Sequence, residues 1–337
     1  MNALLTAAFT PEEVNQALFQ MHPLKSLGPD GFRASFYQTH WQIVGDEVRK
    51  AVLDFLNFGV LDHAINSTFI ALIPKTSNAS CVNNILVMYE ALHFMDTRMK
   101  GRKDYMTVKL DMSKAYDRVK WSFLEAMMKR LGFAEGWIAI IMTGVRSVTY
   151  SVLVNGAPHG NIIPSRGLQQ GDLLSPYLFL LVAEGLSSLL VRAEMEGRII
   201  RFPFSFRGTR ISHLFFVDDS LLFCRANFNE WGNILGILKV YEEASGQKLN
   251  AAKTLIYFSK NTRAKFKEFL PSSAGISATS RYEKYLGLPS LVGRSKTKTF
   301  AGIESRVRKK LDGWKEKFLS QASKEILIKA VVQAIPT

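Results

Sequence analysis

Cysteine is nearly missing from this chain: only Cys81 and Cys224 occur in 337 residues. That excludes a disulfide framework and a cysteine-rich zinc module, and it fits a reducing compartment. Histidine is equally sparse. His22, His40, His63, His93, His159 and His213 fall nowhere at metal-ligand spacing, so zinc is not implied. Long apolar runs are absent too. The longest, around Tyr177 to Ala183, is cut by Glu184 and Gly185, well short of the roughly 20 residues that cross a bilayer. No membrane association is expected. The opening MNALLTAAFTPEE lacks a charged leader and a cleavage pattern, so no secretory signal is read there. No repeat or low-complexity tract interrupts the chain.

Acidic residues are outnumbered: 43 Lys and Arg face 29 Asp and Glu, a formal charge of +14. Such an excess suits a polyanionic partner such as nucleic acid, although basic enzymes without one are common. With 47% hydrophobic residues, the chain has enough apolar material for a real core.

Local patterns divide the chain into three parts, 1–100, 101–290 and 291–337. Thr10 and Glu13 form a capping box, with Pro11 at the first helical position and Val14, Leu18 and Met21 on one face. Gly28-Pro29-Asp30-Gly31 signals a turn. TVKLDM reads as a strand; the following helix has Trp121, Leu124, Met128 and Leu131 on one face and ends at Gly132. Ser175 and Pro176 are expected as N-cap and first residue of a mostly apolar helix. LFFVDDSLLF reads as two short strands around an acidic turn formed by Asp218 and Asp219. From Arg294 to Lys329 the chain looks helical, with eleven basic against four acidic residues. Such a run is often only a solvated helix face.

Phosphoryl transfer to a 3′ hydroxyl requires carboxylates that hold two metal ions roughly 3.5–4 Å apart. Strand ends and hairpin turns supply them, because the sheet fixes their separation. Asp111 ends one strand, and Asp218 and Asp219 occupy the turn. Paired acids in a turn are common without any metal, so VDD by itself says little.

The joint pattern is more specific. KLDMSKAYDRVKW, RGLQQGDLLSPYLFLL and FFVDDSLLF, in this order and spacing, resemble the palm motifs of reverse transcriptases. LKSLGPDGF and FIALIPK upstream, with KYLGLP and WKEKFLSQASKEILIKAVVQAIP downstream, look like the retrotransposons of plants that lack long terminal repeats. The resemblance covers nearly the whole chain. It implies an α+β right-hand polymerase fold: a ferredoxin-like palm over 101–290, a reduced fingers region over 1–100 and a partial, basic helical thumb over 291–337.

The resemblance also implies roles. Asp111 and Asp218 would ligate two Mg2+ ions, for which Mn2+ can substitute, and Asp219 would be a weaker or indirect ligand. Tyr116, five residues after Asp111, matches the aromatic that excludes a 2′ hydroxyl; read alone, it is a core aromatic. Gln170 and Gly171 match the segment that approaches the nascent base pair, although Gln169 and Leu173 stand where the family usually has arginine and proline. Arg166, Ser175 and Pro176 match that motif. Lys253 resembles the lysine that neutralises or protonates the leaving pyrophosphate. Tyr285, Leu286 and Gly287 look like the hairpin gripping the primer end. RNA template, DNA primer and deoxynucleoside triphosphates would be the partners, and the way such elements insert implies action in the nucleus.

The chain departs from the family at one place. After FIALIPKTSNAS it passes to CVNNILVMYEALHF, where relatives carry a long block opening on an RPISL-like motif whose arginine clamps the triphosphate. Lys75 remains as a candidate phosphate contact. Endonuclease, ribonuclease H and zinc-knuckle segments are not expected within this sequence, and the thumb is expected to be short. Three readings follow: an RNA-directed DNA polymerase; a silent remnant that at most binds nucleic acid, or a gene model spliced around the defects of a damaged element; and a nucleotide cyclase on a similar sheet. The motif between the acids and the basic tail disfavour the third.

Overall fold

The computed structural model describes residues 2–23, 32–61, 66–70, 88, 90–95, 104–154, 157–170, 172, 174–203, 210–216, 219–279, 284–285, 288–289, 301 and 304–305. Helices and strands alternate irregularly, and the class is α+β, as expected. The chain forms two compact units. One comprises 1–74, 116–182 and 244–246; the other comprises 75–115, 183–243 and 247–337.

The first unit opens with short helix α1 (Asn2–Leu5) and α2 (Pro11–Gln20). The capping box is present: Thr10 Oγ1 accepts from Glu13 N–H, and Glu13 returns a carboxylate to Thr10 N–H at 2.8 Å. Val14 is buried, with Leu18 and Met21 half-buried on the same face. Helices α3 (Ala34–Thr39) and α4 (Trp41–Phe58) follow, and Gly59 ends α4 in the left-handed conformation at φ 72°. The Gly28–Gly31 turn lies outside the described residues.

Later in this unit come α5 (Trp121–Arg130) and α6 (Glu135–Arg146). Leu124 and Met128 are buried in α5 as expected and Gly132 follows at φ 83°, but Leu131 is 40% exposed. It sits at the C-cap, the frayed end of the helix, still with αR backbone but past the last full turn. A three-stranded sheet is built from β1 (Ser67–Ile70), β3 (Thr149–Val154) and β4 (Ala157–Ile162); β1 pairs with β3 in parallel, and β3 with β4 antiparallel.

The second unit is built on a five-stranded sheet. Its members are β2 (Tyr105–Asp111), β7 (His213–Phe216), β8 (Asp219–Arg225), β9 (Leu255–Phe258) and β10 (Ser277–Thr279), in the order β10-β9-β2-β8-β7. All neighbours are antiparallel except β10 and β9. Strand β2 is central and buried along nearly its whole length, so its side chains are fixed from both faces. Its core joins Tyr105, Leu221, Phe223 and Tyr257 to Phe202 and to Met88, Leu92 and Met95. Phe202 stacks on Phe223 at 5.7 Å and meets Tyr105 edge-on at 5.2 Å, a favourable aromatic geometry. Cys224 is fully buried in β8; burial, reinforced by Glu230, pushes its thiol well above the usual range, so it is inert packing.

Further elements are the short antiparallel pair β5 (Phe202–Pro203) and β6 (Arg210–Ile211) and the helices α7 (Ser175–Met195), α8 (Phe228–Ser245) and α9 (Ala264–Ser272). No helix among the described residues is long and apolar enough to cross a membrane. Nearly all of the basic tail beyond 290, expected as helical thumb, lies outside the described residues.

Candidate polymerase site

Two of the three candidate acids, Asp111 and Asp219, are placed by the sheet of the second unit. Asp111 is the last residue of β2 and is half-buried. Phe216 pairs with Asp219 where β7 and β8 meet. Asp219, expected in the acidic turn, is instead the first residue of strand β8. The cause is ladder pairing, since β8 gains a partner in β2 as well as β7 from Asp219 onward. Asp111 and Asp219 stand directly opposite each other in the antiparallel register. Opposed residues of such a pair have Cα atoms about 4.5–5.5 Å apart. Asp218 itself lies outside the described residues.

This donor set suits a hard divalent cation, because magnesium takes oxygen ligands and the acids come from adjacent strand ends. Among the described residues no three acidic, histidine or cysteine side chains gather into a metal cluster.

Beyond Asp111 the backbone turns. Asp111 accepts from Asn250 N–H at 2.8 Å through its carbonyl, and its own N–H donates to Thr254 Oγ1 at 3.2 Å. Lys253 is exposed in the turn that begins at Asn250, where its N–H donates to the Asn250 carbonyl. The lysine's turn is thus hydrogen-bonded to the residue that ends β2.

In the first unit, Tyr116 is half-buried and stacks on Phe179 with centroids 4.7 Å apart and planes at 17°. Leu168 N–H donates to the Tyr116 carbonyl at 2.9 Å and Gly167 N–H to that of Val119 at 2.8 Å; Trp121 Nε1 donates to the Gly167 carbonyl at 2.7 Å. Gly167 has φ 97°, and a Cβ there would lie 2.8 Å from the Asp117 carbonyl oxygen. Only glycine meets both demands. Gln170 follows, exposed, in a turn.

Helix α7 starts differently from expectation. Ser175 is its first residue, and the Asp172 carboxylate accepts from the N–H groups of Leu174 and Ser175 at 3.1 and 2.9 Å and from the Ser175 hydroxyl. Asp172 therefore supplies the cap assigned to Ser175, and its charge suits a helix N-terminus. Beside it a cavity of about 170 Å³ is lined by Asn66, Tyr150, Gln169, Asp172 and Leu178 among others. Burial, with Asp117 and Asp172 nearby, raises the Tyr150 hydroxyl above its ordinary pKa.

Tyr285 lies in β11 (Lys284–Tyr285), which pairs antiparallel with β12 (Leu288–Pro289). Leu286, Gly287, Gly171 and Lys75 lie outside the described residues.

The residues that sequence reading passed over are Gly167, Asp172, Gln247, Asn250 and Thr254. Gly167 was visible as the glycine of RGLQQG, but its positive φ was not. The others carried no signal beyond proximity to candidate residues.

Comparison with known proteins bears on the whole chain. A 68-residue stretch is 53% identical to an uncharacterized mitochondrial protein of Arabidopsis thaliana, covering 20% of this chain and 56% of that protein. An uncharacterized 149 kDa protein of the Xenopus laevis transposon TX1 is 22% identical over 97% of this chain and 28% of its own length. The Pol polyprotein of the type-1 retrotransposable element R2 of Popillia japonica is 29% identical over 50% of this chain and 26% of its own. The chain thus spans little more than half of the first relative and under a third of the others. Two solved structures of telomerase from Candida tropicalis resemble it at TM-scores of 0.39 and 0.41, with 14 and 15% identity, covering 67 and 89% of this chain and 42 and 46% of theirs. Residues 61–290, which contain β2, the Gly167 segment and the β7–β8 hairpin, match the profile of the reverse transcriptase (RNA-dependent DNA polymerase) family, and the chain belongs to that family.

Proposed function

We propose that this chain is an RNA-directed DNA polymerase domain that adds deoxynucleotides to a primer 3′ end. The observation that carries the reading is the register: Asp111 directly opposes Asp219 in adjacent strands of the buried sheet, and Asp218 is the neighbour of Asp219 in sequence. Asp111 and Asp218 would hold two magnesium ions, or manganese in their place, with Asp219 as the weaker or indirect ligand. Bound there, the metals supply a lowered pKa for the primer hydroxyl and charge to offset the triphosphate and departing pyrophosphate.

The chain's own residues do the rest. Tyr116, braced by Phe179, excludes a 2′ hydroxyl by bulk. Gln170 and Gly171 approach the nascent base pair. Lys253, exposed and on a turn docked to Asp111, neutralises or protonates the leaving pyrophosphate; Lys75 touches the triphosphate. Tyr285, Leu286 and Gly287 grip the primer end. In this reading 1–100 serves as reduced fingers, 101–290 as palm and 291–337 as part of a thumb. The +14 charge favours holding an RNA template and DNA primer through phosphates, in a salt-sensitive way.

A second reading, a silent remnant that binds nucleic acid, is favoured by the block missing after Ser80. In keeping with it, the match to the Xenopus protein runs over 377 aligned positions but uses 97% of a 337-residue chain, so this chain is gapped at dozens of them. Primer extension on oligo(dT)-primed poly(rA), in magnesium and then manganese, separates the two. Extension that Asp218→Asn abolishes is the expected result. Folded protein that binds the duplex and extends nothing supports the remnant.

A further inference from the structure

A strained residue follows the candidate metal ligand. Lys114 has φ 51°, the only left-handed non-glycine among the described residues, three positions after Asp111. A side chain in that region costs about 1–2 kcal/mol, and such a conformation persists only where the surroundings over-determine it. In the second unit, the surroundings are one segment, Gln247 to Thr254.

Its contacts cover Asp111 to Ala115 in sequence. Thr254 Oγ1 accepts from Asp111 N–H at 3.2 Å, and Asn250 N–H donates to the Asp111 carbonyl at 2.8 Å. Leu249 forms an antiparallel bridge with Met112. The Lys248 carbonyl accepts from Ser113 N–H at 2.8 Å, and Gln247 Nε2 donates to the Ala115 carbonyl at 2.6 Å. The segment is itself anchored. Thr254 is fully buried and Gln247 is 1% exposed, and the Glu242 carboxylate, from helix α8, accepts from Leu249 N–H.

The Asp111–Thr254 contact has a clear consequence. By register, β9 pairs with β2 only as far as Leu255↔Lys109, so the ladder stops before Asp111. Its N–H would be left without a strand partner on that side, and the Thr254 hydroxyl takes it instead. A carboxylate that must hold a metal within about 0.5 Å needs its backbone fixed as well as its rotamer.

We infer that Gln247–Thr254 is a positioning strap: Thr254 and Gln247 pin the two ends of the Asp111–Ala115 turn and thereby set where the Asp111 carboxylate stands. The strap also carries Lys253, so the metal ligand and the lysine assigned to the leaving group move as one piece. The inference rests on Asp111 being a metal ligand, and it adds Thr254 and Gln247 to the residues on which the reaction depends without contact to substrate.

The test is amide hydrogen exchange on the full chain, read in peptides spanning 110–116, with Thr254→Val and Thr254→Ser. Valine keeps the volume and removes the acceptor; serine keeps the hydroxyl. The expected result is roughly tenfold faster exchange in that peptide for valine, rates within about twofold of wild type for serine, and unchanged protection in β8. In primer extension, valine should lower kcat roughly tenfold, raise the magnesium needed for half-maximal rate and leave KM for the nucleotide nearly unchanged, with serine rescuing all three. Valine exchanging like wild type, or serine exchanging as fast as valine, overturns the strap. Should Thr254→Val not fold, Gln247→Met removes the other pin and must speed exchange in the same peptide; unchanged exchange there overturns the inference equally. If wild-type protein extends nothing, the exchange experiment still decides the strap, and the failure belongs to the polymerase reading.

Discussion

The two sheets of this protein are built to different standards. In the five-stranded sheet, β2 is buried along nearly its whole length, and Leu221, Leu222, Phe223 and Cys224 of β8 are all at most 1% exposed. In the three-stranded sheet, β3 is half-buried and every residue of β4 is exposed, Ile162 by 47%. Both are strand ladders of similar local chemistry. What separates them is packing on the faces: a sheet held from both sides fixes its strand ends, whereas one with an open edge strand leaves its outer side chains to solvent. The candidate carboxylates stand on the first kind. Metal chemistry tolerates little displacement, and only the buried sheet supplies that constancy.

Asp111→Asn offers the strongest way to sharpen the contrast. If Asp111 is the metal ligand proposed above, neutralising it should leave no measurable primer extension while duplex binding at low salt persists, read by extension and by anisotropy. Extension surviving at wild-type rate would move the site elsewhere. Core truncation comes next. Phe223→Ala should cost about 3–5 kcal/mol, because it opens a cavity against Phe202, whereas Ile162→Ala should change stability by no more than about 0.5 kcal/mol. Urea denaturation measures both, and equal costs would erase the distinction between the sheets.

Gly167→Ala tests whether the first unit has a rigid region of its own. Positive φ and the contact with the Asp117 carbonyl together should cost roughly 1–3 kcal/mol, visible as a lowered Tm. An unchanged Tm would show that the segment relaxes freely.

The smallest effect concerns pH and the β7 edge of the buried sheet. His213 shares hydrogen bonds with Ser187 Oγ at 3.1 Å and Ser212 Oγ at 2.8 Å, and burial lowers its pKa against the opposing pull of Glu194, with Arg201 adding to the lowering. The unfolded chain then binds more protons than the folded one just below the ordinary histidine pKa. Stability present at neutral pH is therefore lost as pH falls through about 6.5 toward the folded value. His213→Gln should flatten the difference in urea midpoint between pH 7 and pH 5; an equally steep profile would assign it to other groups.

Much of the local structure was legible in the sequence. The capping box at Thr10, strand β2, the Gly132 helix stop and the β7–β8 hairpin all follow from short-range rules of capping, alternation and turn chemistry. The misses have a common cause. Serine is a good cap, but Ser175 is already the first helical residue, and Asp172, three residues earlier, accepts from the N–H groups of Leu174 and Ser175. Leu131 fits the helical stripe by spacing, yet it lies at the cap, where spacing no longer predicts burial. Asp219 looked like a turn residue because a pair of acids suits a turn, and the ladder to β2 drew it into a strand.

What the sequence by itself determined is a few elements, among them the Thr10-capped helix, strand β2, the helix stopped at Gly132 and the β7–β8 hairpin, together with the family, since both reside in residue types at short spacings. Tertiary structure alone decided that Asp111 faces Asp219 across 108 positions of chain, that Thr254 receives the Asp111 N–H, and that one sheet is buried and the other open. Register and hydrogen-bond partnership between distant segments depend on which faces pack together. A single strand's pattern states that it has a buried face, but the partner that buries it is chosen only when the whole chain condenses.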